Sequence, residues 1–185
     1  VIACGSGAPL GKLSVADHLA EMAALEAAAV HAFRRLAEEM RALGAPESMI
    51  ERAYDAADDE VRHAVMVGLE AKRRGKTPRA IEVGPMPIRE ALEIALENAR
   101  EGMVRETYGA LAAHYHALAA TDPRLARLFE RLAEDETRHA ALSLEFGEFL
   151  EAKLSDEERR LVDEARHESL RQLDEELKVA LADEV

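Results

Sequence analysis

Asp59-Glu60-Val61-Arg62-His63 and Asp135-Glu136-Thr137-Arg138-His139 share one pattern, Asp-Glu-x-Arg-His, repeated 76 residues apart. In a helix, residues three apart lie on one face. Each stretch therefore aims a carboxylate (Glu60 or Glu136) and an imidazole (His63 or His139) at one point. A carboxylate oxygen with a neutral imidazole nitrogen suits iron, manganese or zinc. One such pair arises easily by chance. Two copies ask for a shared cause.

The elements that position them are helices. Ala, Leu, Glu and Arg dominate the 185 residues, aromatics make up 4 %, and there is no Trp. That composition favours helix nearly everywhere and predicts an all-α fold. The length suits one domain with a full core. With 24 basic and 37 acidic residues the net charge is −13, which argues against a nucleic-acid footprint. No apolar run reaches the roughly 18–20 residues of a membrane span. The single cysteine, Cys4, excludes an internal disulfide and a Cys-x-x-Cys metal site. Val1 to Gly7 resembles the end of a bacterial lipoprotein signal with Cys4 as the lipidated residue, and equally a plain N-terminal tail. The first reading implies a lipid-anchored protein, the second a bacterial cytoplasmic one.

In chain order, Ser14 and Asp17 form a capping box that opens the first helix after a flexible segment 1–13. Leu19, Met22, Glu26, Ala29, Phe33, Leu36, Met40 and Leu43 then recur at spacings of three and four, a seam of bundle type. Glu26 occupies a seam position where an apolar residue belongs. Gly44 closes this helix and Pro46 is expected in the first turn of the next. The second seam is Ile50, Ala53, Ala57, Glu60, Ala64, Val67 and Ala71, with His63 beside Glu60.

Residues 76–87 hold Pro78, Gly84, Pro85 and Pro87 and read as a non-helical connection. Pro87 is expected to open a third helix with seam Ile88, Leu92, Ala95, Ala99, Gly102, Glu106, Gly109, Ala113, His116 and Ala120. Asp122-Pro123 caps a fourth, with seam Leu125, Phe129, Leu132, Glu136, His139, Ser143, Phe146 and Leu150. Ser155 with Glu158 opens a fifth, to about Ala182, with a one-sided stripe of Leu161, Ala165, Leu170, Leu173, Leu177 and Leu181. The expected organisation is thus a bundle over 14–150 and an added C-terminal amphipathic helix over 151–185.

The halves match: a lone seam Glu, then Glu-x-x-His on the following helix. Glu26 to Glu60 is 34 residues and Glu106 to Glu136 is 30, each fitting a short-looped hairpin. Levelling the two sites across parallel helices needs a connection of roughly 50 Å, which about 15 extended residues span. The proline-bearing stretch is about that long, so it reads as a crossover.

Four helices with one crossover, a Glu on two and Glu-x-x-His on the other two, match the di-iron carboxylate arrangement. Over residues 14–150 the chain resembles the ferritin-like superfamily. It is nearer to small rubrerythrin- or erythrin-type bacterial members, with Glu-Asn-x-x-Glu-Gly-x-Val-Arg-Glu-Thr from Glu97 to Thr107, than to cage-forming ferritins. The resemblance implies two iron ions, or manganese or a mixed pair, held by Glu26, Glu60, His63, Glu106, Glu136 and His139. It implies that Glu60 and Glu136 bridge and that Glu26 and Glu106 bind terminally. It also implies that Asp59 and Asp135 orient the ligand histidines, with Arg62 and Arg138 holding those Asp residues.

Charge balance agrees, since four buried carboxylates need protons or partners and two divalent ions supply four positive charges. A metal-free acid–histidine network is the bland alternative. The expected activity is reaction of iron with O2 or peroxide, of ferroxidase or peroxidase type, with no catalytic residues apart from the ligands. Non-enzymatic iron binding or storage, and a di-iron oxygenase acting on an organic substrate, are the alternatives. With no Cys-x-x-Cys module the electron donor is external, and a homodimer is compatible with the long last helix. Gly102 and Gly109 flank Glu106 by a turn and suggest either close helix approach or a small cavity. His116 reads as a core histidine, and His31, His114 and His167 as surface residues. Tyr54, Tyr108 and Tyr115 read as packing residues, and Met22, Met66 and Met103 as core filler.

Overall fold

The computed structural model describes residues 14–182, and the side chains of the last helix as far as residue 179. The Cys4 segment lies outside the described residues. The chain is all-α: α1 (Val15–Ala42), α2 (Glu47–Arg73), α3 (Ala91–Glu97), a π-helical segment (Asn98–Glu106), α4 (Thr107–Ala119), α5 (Pro123–Glu151) and α6 (Asp156–Ala182). No strand occurs among the described residues. Among the described residues no helix is long and apolar enough to cross a membrane. The chain forms two compact units, one ending at Pro87 and one beginning at Ile88.

The first unit is the α1–α2 hairpin. The Asp17 amide donates to Ser14 Oγ at 3.2 Å while the Ser14 amide donates to Asp17 Oδ2 at 3.3 Å, the reciprocal box that the sequence announces. Gly44 takes φ +74° just past the end of α1, a left-handed conformation that glycine adopts without strain. Pro46 stands at the N-cap of α2, one place earlier than expected.

The most buried line of α1 runs Leu19, Ala23, Val30, Phe33, Ala37 and Met40, whereas Met22, Ala29 and Leu36 are only half-buried. Small alanines let the paired helices approach closely, so the true face is turned toward them and Glu26 sits at its edge. On α2, Ile50, Ala53, Ala57, Glu60, Val67 and Ala71 of the expected seam are buried together with His63, and Ala64 is half-buried. Beyond α2 the connection docks back on its own hairpin: Lys76 pairs with Asp17 at 2.6 Å and Arg79 with Glu21 at 3.1 Å.

The second unit departs more from the sequence reading. Pro87 does not open a helix, and Ile88 is exposed. Glu93 accepts the Glu90 amide at 3.3 Å, which fixes the start of α3 at Ala91. The unbroken third helix is interrupted by the nine-residue π segment, and the buried positions step from Ala99 to Val104, five residues on. Asp122 Oδ1 accepts the Arg124 amide at 2.9 Å with Pro123 at the first helical position, so α5 begins as expected. Its buried face includes Phe129, Leu132, His139, Ser143, Phe146 and Leu150 of the predicted seam, whereas Leu125 and Glu136 are only half-buried.

Ser155 and Glu158 cap α6, the Glu158 amide donating to Ser155 Oγ at 3.3 Å. One face of α6 is buried and carries Ala165 and Leu173 of the expected stripe together with Ser169; Leu161, Leu170 and Leu177 are exposed, and the Leu181 side chain lies outside the described residues. This face docks on the π segment, where Ser169 Oγ donates to the Arg100 carbonyl at 3.2 Å. The Arg105 guanidinium there grips Glu176 through two bonds of 2.5 and 2.8 Å.

A Cβ added at Gly109 would meet nothing within 4 Å. Gly109→Ala is therefore expected to stabilise the protein by about 0.5–1 kcal/mol, through helix propensity alone. Urea unfolding with an unchanged m-value checks this, and a loss of stability would show that the position needs its glycine.

Candidate metal centre

In the first unit Glu26 comes from the middle of α1, and Glu60 and His63 from successive turns of α2. Each offers a ligand atom within 4.8 Å of the others'. His63 Nδ1 lies 3.7 Å from Glu26 Oε2 and 3.7 Å from Glu60 Oε2. His63 is wholly buried and Glu60 is 2 % exposed. In the second unit Glu106, the last residue of the π segment, meets Glu136 and His139 of α5 in the same way, again within 4.8 Å. His139 Nδ1 is 3.5 Å from Glu136 Oε2. All six residues singled out by spacing thus lie in such groups, three of them contributed by each unit.

The separations fit a cation better than a hydrogen bond. At 3.5–3.7 Å a nitrogen–oxygen pair is at or beyond the hydrogen-bond limit. Two donors each about 2.0–2.2 Å from one ion lie about 3 Å apart at right angles and about 4.3 Å apart when opposite. The observed values fall between. Each unit offers two carboxylates and one imidazole, a charge of −2 that one divalent ion neutralises. The oxygen-rich set with one nitrogen suits a first-row divalent metal rather than a thiolate-seeking one. With Nδ1 the ring atom nearest the carboxylates, a metal there would place the imidazole proton on Nε2.

The neighbouring Asp and Arg residues repeat their placement in both units. Arg62 pairs with Asp59, and Arg138 with Asp135, each across one helical turn. Asp59 is buried and the Asp135 side chain nearly so. Arg138 also donates to the Glu134 carbonyl at 3.2 Å, which ties its pair to the helix backbone.

The remaining candidates take lesser roles. His116 packs on Phe129 with ring centroids 4.9 Å apart, and burial pushes its pKa below the ordinary histidine value. His114 is exposed, with Nε2 3.2 Å from Thr137 Oγ1, and the Thr137 hydroxyl donates to the Ala133 carbonyl at 2.6 Å. His167 is exposed, whereas His31 is half-buried rather than on the surface. The Tyr54 hydroxyl donates to the Glu38 carboxylate and accepts from Arg41 Nη1 at 3.1 Å, tying α2 to α1. Tyr115 is exposed and Tyr108 half-buried; Met22, Met66 and Met103 are half-buried rather than core residues.

The suggestion of a cavity at Gly102 is corrected. A Cβ there would lie 2.5 Å from Asn98 Oδ1 and 2.8 Å from Ser143 Oγ, so close approach is the reason for this glycine. Reasoning from sequence also missed Glu39, fully buried with its carboxylate 3.2 Å from Arg35 Nε, and buried Glu70, held by Arg73 and Arg74. An arginine four residues before Glu39, and two placed three and four after Glu70, are the signals that mark both.

Comparison with protein-family models, with curated proteins and with solved structures found no match.

Proposed function

We propose that this chain is a di-metal carboxylate protein of ferritin-like type, which binds two iron ions and reacts with O2 or peroxide. One observation carries the reading. Each unit independently gathers a lone Glu and a Glu-x-x-His pair so that three ligand atoms lie within 4.8 Å of one another. The proposal includes the two units as halves of a ferritin-like bundle, with the proline-bearing connection as its crossover. Glu26, Glu60 and His63 would hold one ion, and Glu106, Glu136 and His139 the other. Glu60 and Glu136 are the residues that the resemblance makes bridging.

Iron held by carboxylate and imidazole supplies redox chemistry with O2 or peroxide while leaving coordination positions open. The chain's own contribution is positional and electrostatic. Four carboxylates match the charge of two divalent ions, and the buried imidazoles exclude water from one side of each cluster. The Arg62–Asp59 and Arg138–Asp135 pairs stiffen the turns from which the ligands project. Manganese fits the same donors, and electrons come from an external donor.

Anaerobic Fe(II) titration of metal-free protein, followed by exposure to O2 and watched by near-UV absorbance, tests the reading. Two irons per chain and a new absorption on oxidation are expected. No iron bound after loading would make the six residues a polar core and overturn the proposal.

A further inference from the structure

We infer that Asn98, seated against Ser143 and Gly102, is a positioning residue that locks the π segment in register and so aims Glu106 at Glu136 and His139. The inference rests on the reading of Glu106 as a metal ligand.

A π turn takes one more residue into each closed ring than an α turn does. Everything downstream is therefore rotated by about 100° relative to an unbroken α-helix. Glu106 is the last residue of the π segment, so its direction depends directly on whether that extra residue is accommodated. The π segment has poorer intrinsic geometry than α-helix and needs outside support. Three contacts supply it.

The buried Asn98 amide donates to the Ser143 carbonyl of α5 at 2.9 Å. Ser143 lies one turn after His139 on the same face of α5, so the bond ties the start of the π segment to the helix that carries two of the ligands. Gly102 closes the middle, with no room for a Cβ between Asn98 Oδ1 at 2.5 Å, Ser143 Oγ at 2.8 Å and Ser143 Cβ at 2.9 Å. On the other side α6 fastens the Arg100 carbonyl through Ser169 and the Arg105 side chain through Glu176. The segment is thus held from both α5 and α6. Asn98 is the member that links it directly to the ligand-bearing helix.

Asn98→Leu removes the donor at similar volume, and Gly102→Ala forces the segment off Ser143; Gly109→Ala, with open space around it, is the control. Co(II) alone is titrated into wild type and the three variants, followed by its visible ligand-field bands. Wild type and Gly109→Ala are expected to take two ions with the same spectrum. Asn98→Leu and Gly102→Ala should weaken one ion by about tenfold or more, within the range for residues that orient ligands. That ion's bands should shift, and the loss of affinity should fall on it more heavily than on the other ion. A general packing role would lower stability without this selective change.

Folded Asn98→Leu and Gly102→Ala variants with two wild-type ions would overturn the inference and leave the di-metal reading standing. If Asn98→Leu does not fold, Gly102→Ala alone decides. If wild type binds no Co(II), the di-metal reading fails instead, and amide hydrogen exchange over residues 99–106 decides the lock. At least about tenfold faster exchange in the variants supports it, and unchanged exchange removes it.

Discussion

Glu60→Gln is expected to raise the stability of the metal-free protein and to lower that of the iron-loaded one. Glu60 is 2 % exposed, and its carboxylate lies within 4.8 Å of the Glu26 ligand oxygen. Two carboxylates so placed, one of them almost dry, repel each other and lose hydration. Gln keeps the shape and removes one charge. The gain is about 1–2 kcal/mol, typical of changes that relieve strain at a functional site. Iron reverses the order. Ligand that binds only the folded state stabilises it by about 2.7 kcal/mol at a free concentration one hundred times Kd. Losing an orienting residue costs 10–100-fold in metal affinity, and losing a ligand must exceed that. Thermal unfolding of both proteins, with and without Fe(II) under anaerobic conditions, should show the two curves exchanging places. Equal losses in both conditions would make Glu60 a structural acid and sink its role as a ligand.

How far this was legible in the sequence depends on where the controlling interactions lie. The caps at Ser14, Asp122 and Ser155 are local, each made within three residues, and all three were readable. The six clustered residues were readable because Glu-x-x-His obeys helix periodicity and the lone Glu residues interrupt apolar seams. The π segment was not. Its residues continue an α-like spacing of small and apolar positions through Ala95, Ala99, Gly102 and Gly109. What favours the wider turn is Asn98 meeting a carbonyl 45 residues away and Arg105 meeting Glu176, 71 residues away.

The same cause explains the part of the α6 stripe that was misjudged, Leu161, Leu170 and Leu177. Leucines are the stronger hydrophobic signal, yet docking on the π segment selects the face bearing Ala165, Ser169 and Leu173, where Ser169 is needed for the Arg100 carbonyl. On α1, alanines outrank the larger Met22 and Leu36 because close approach of two helices favours small side chains. Side-chain size was the misleading cue in both helices.

Phe146→Ala is expected to cost about 3–5 kcal/mol of folding stability, the range for deleting a fully buried aromatic ring. Phe146 has no exposed surface and stacks on Phe149 with ring centroids 5.9 Å apart. It also lies between Leu142 and Leu150, the buried positions one turn to either side. For a chain of this length the loss corresponds to a fall in Tm of about 6–20 °C. Urea unfolding should show a lower midpoint at unchanged m. Metal binding should respond differently. Phe146 is seven residues, about 10 Å, beyond His139 along α5, so it shapes the helix without touching the ligand cluster. At a temperature where the variant is folded, its iron affinity should stay within about threefold of wild type, unlike Glu60→Gln at equal foldedness. A selective loss of affinity in a folded Phe146→Ala protein would mean that the core of α5 sets the ligand geometry directly. The separation of packing from metal chemistry along this helix would then be wrong.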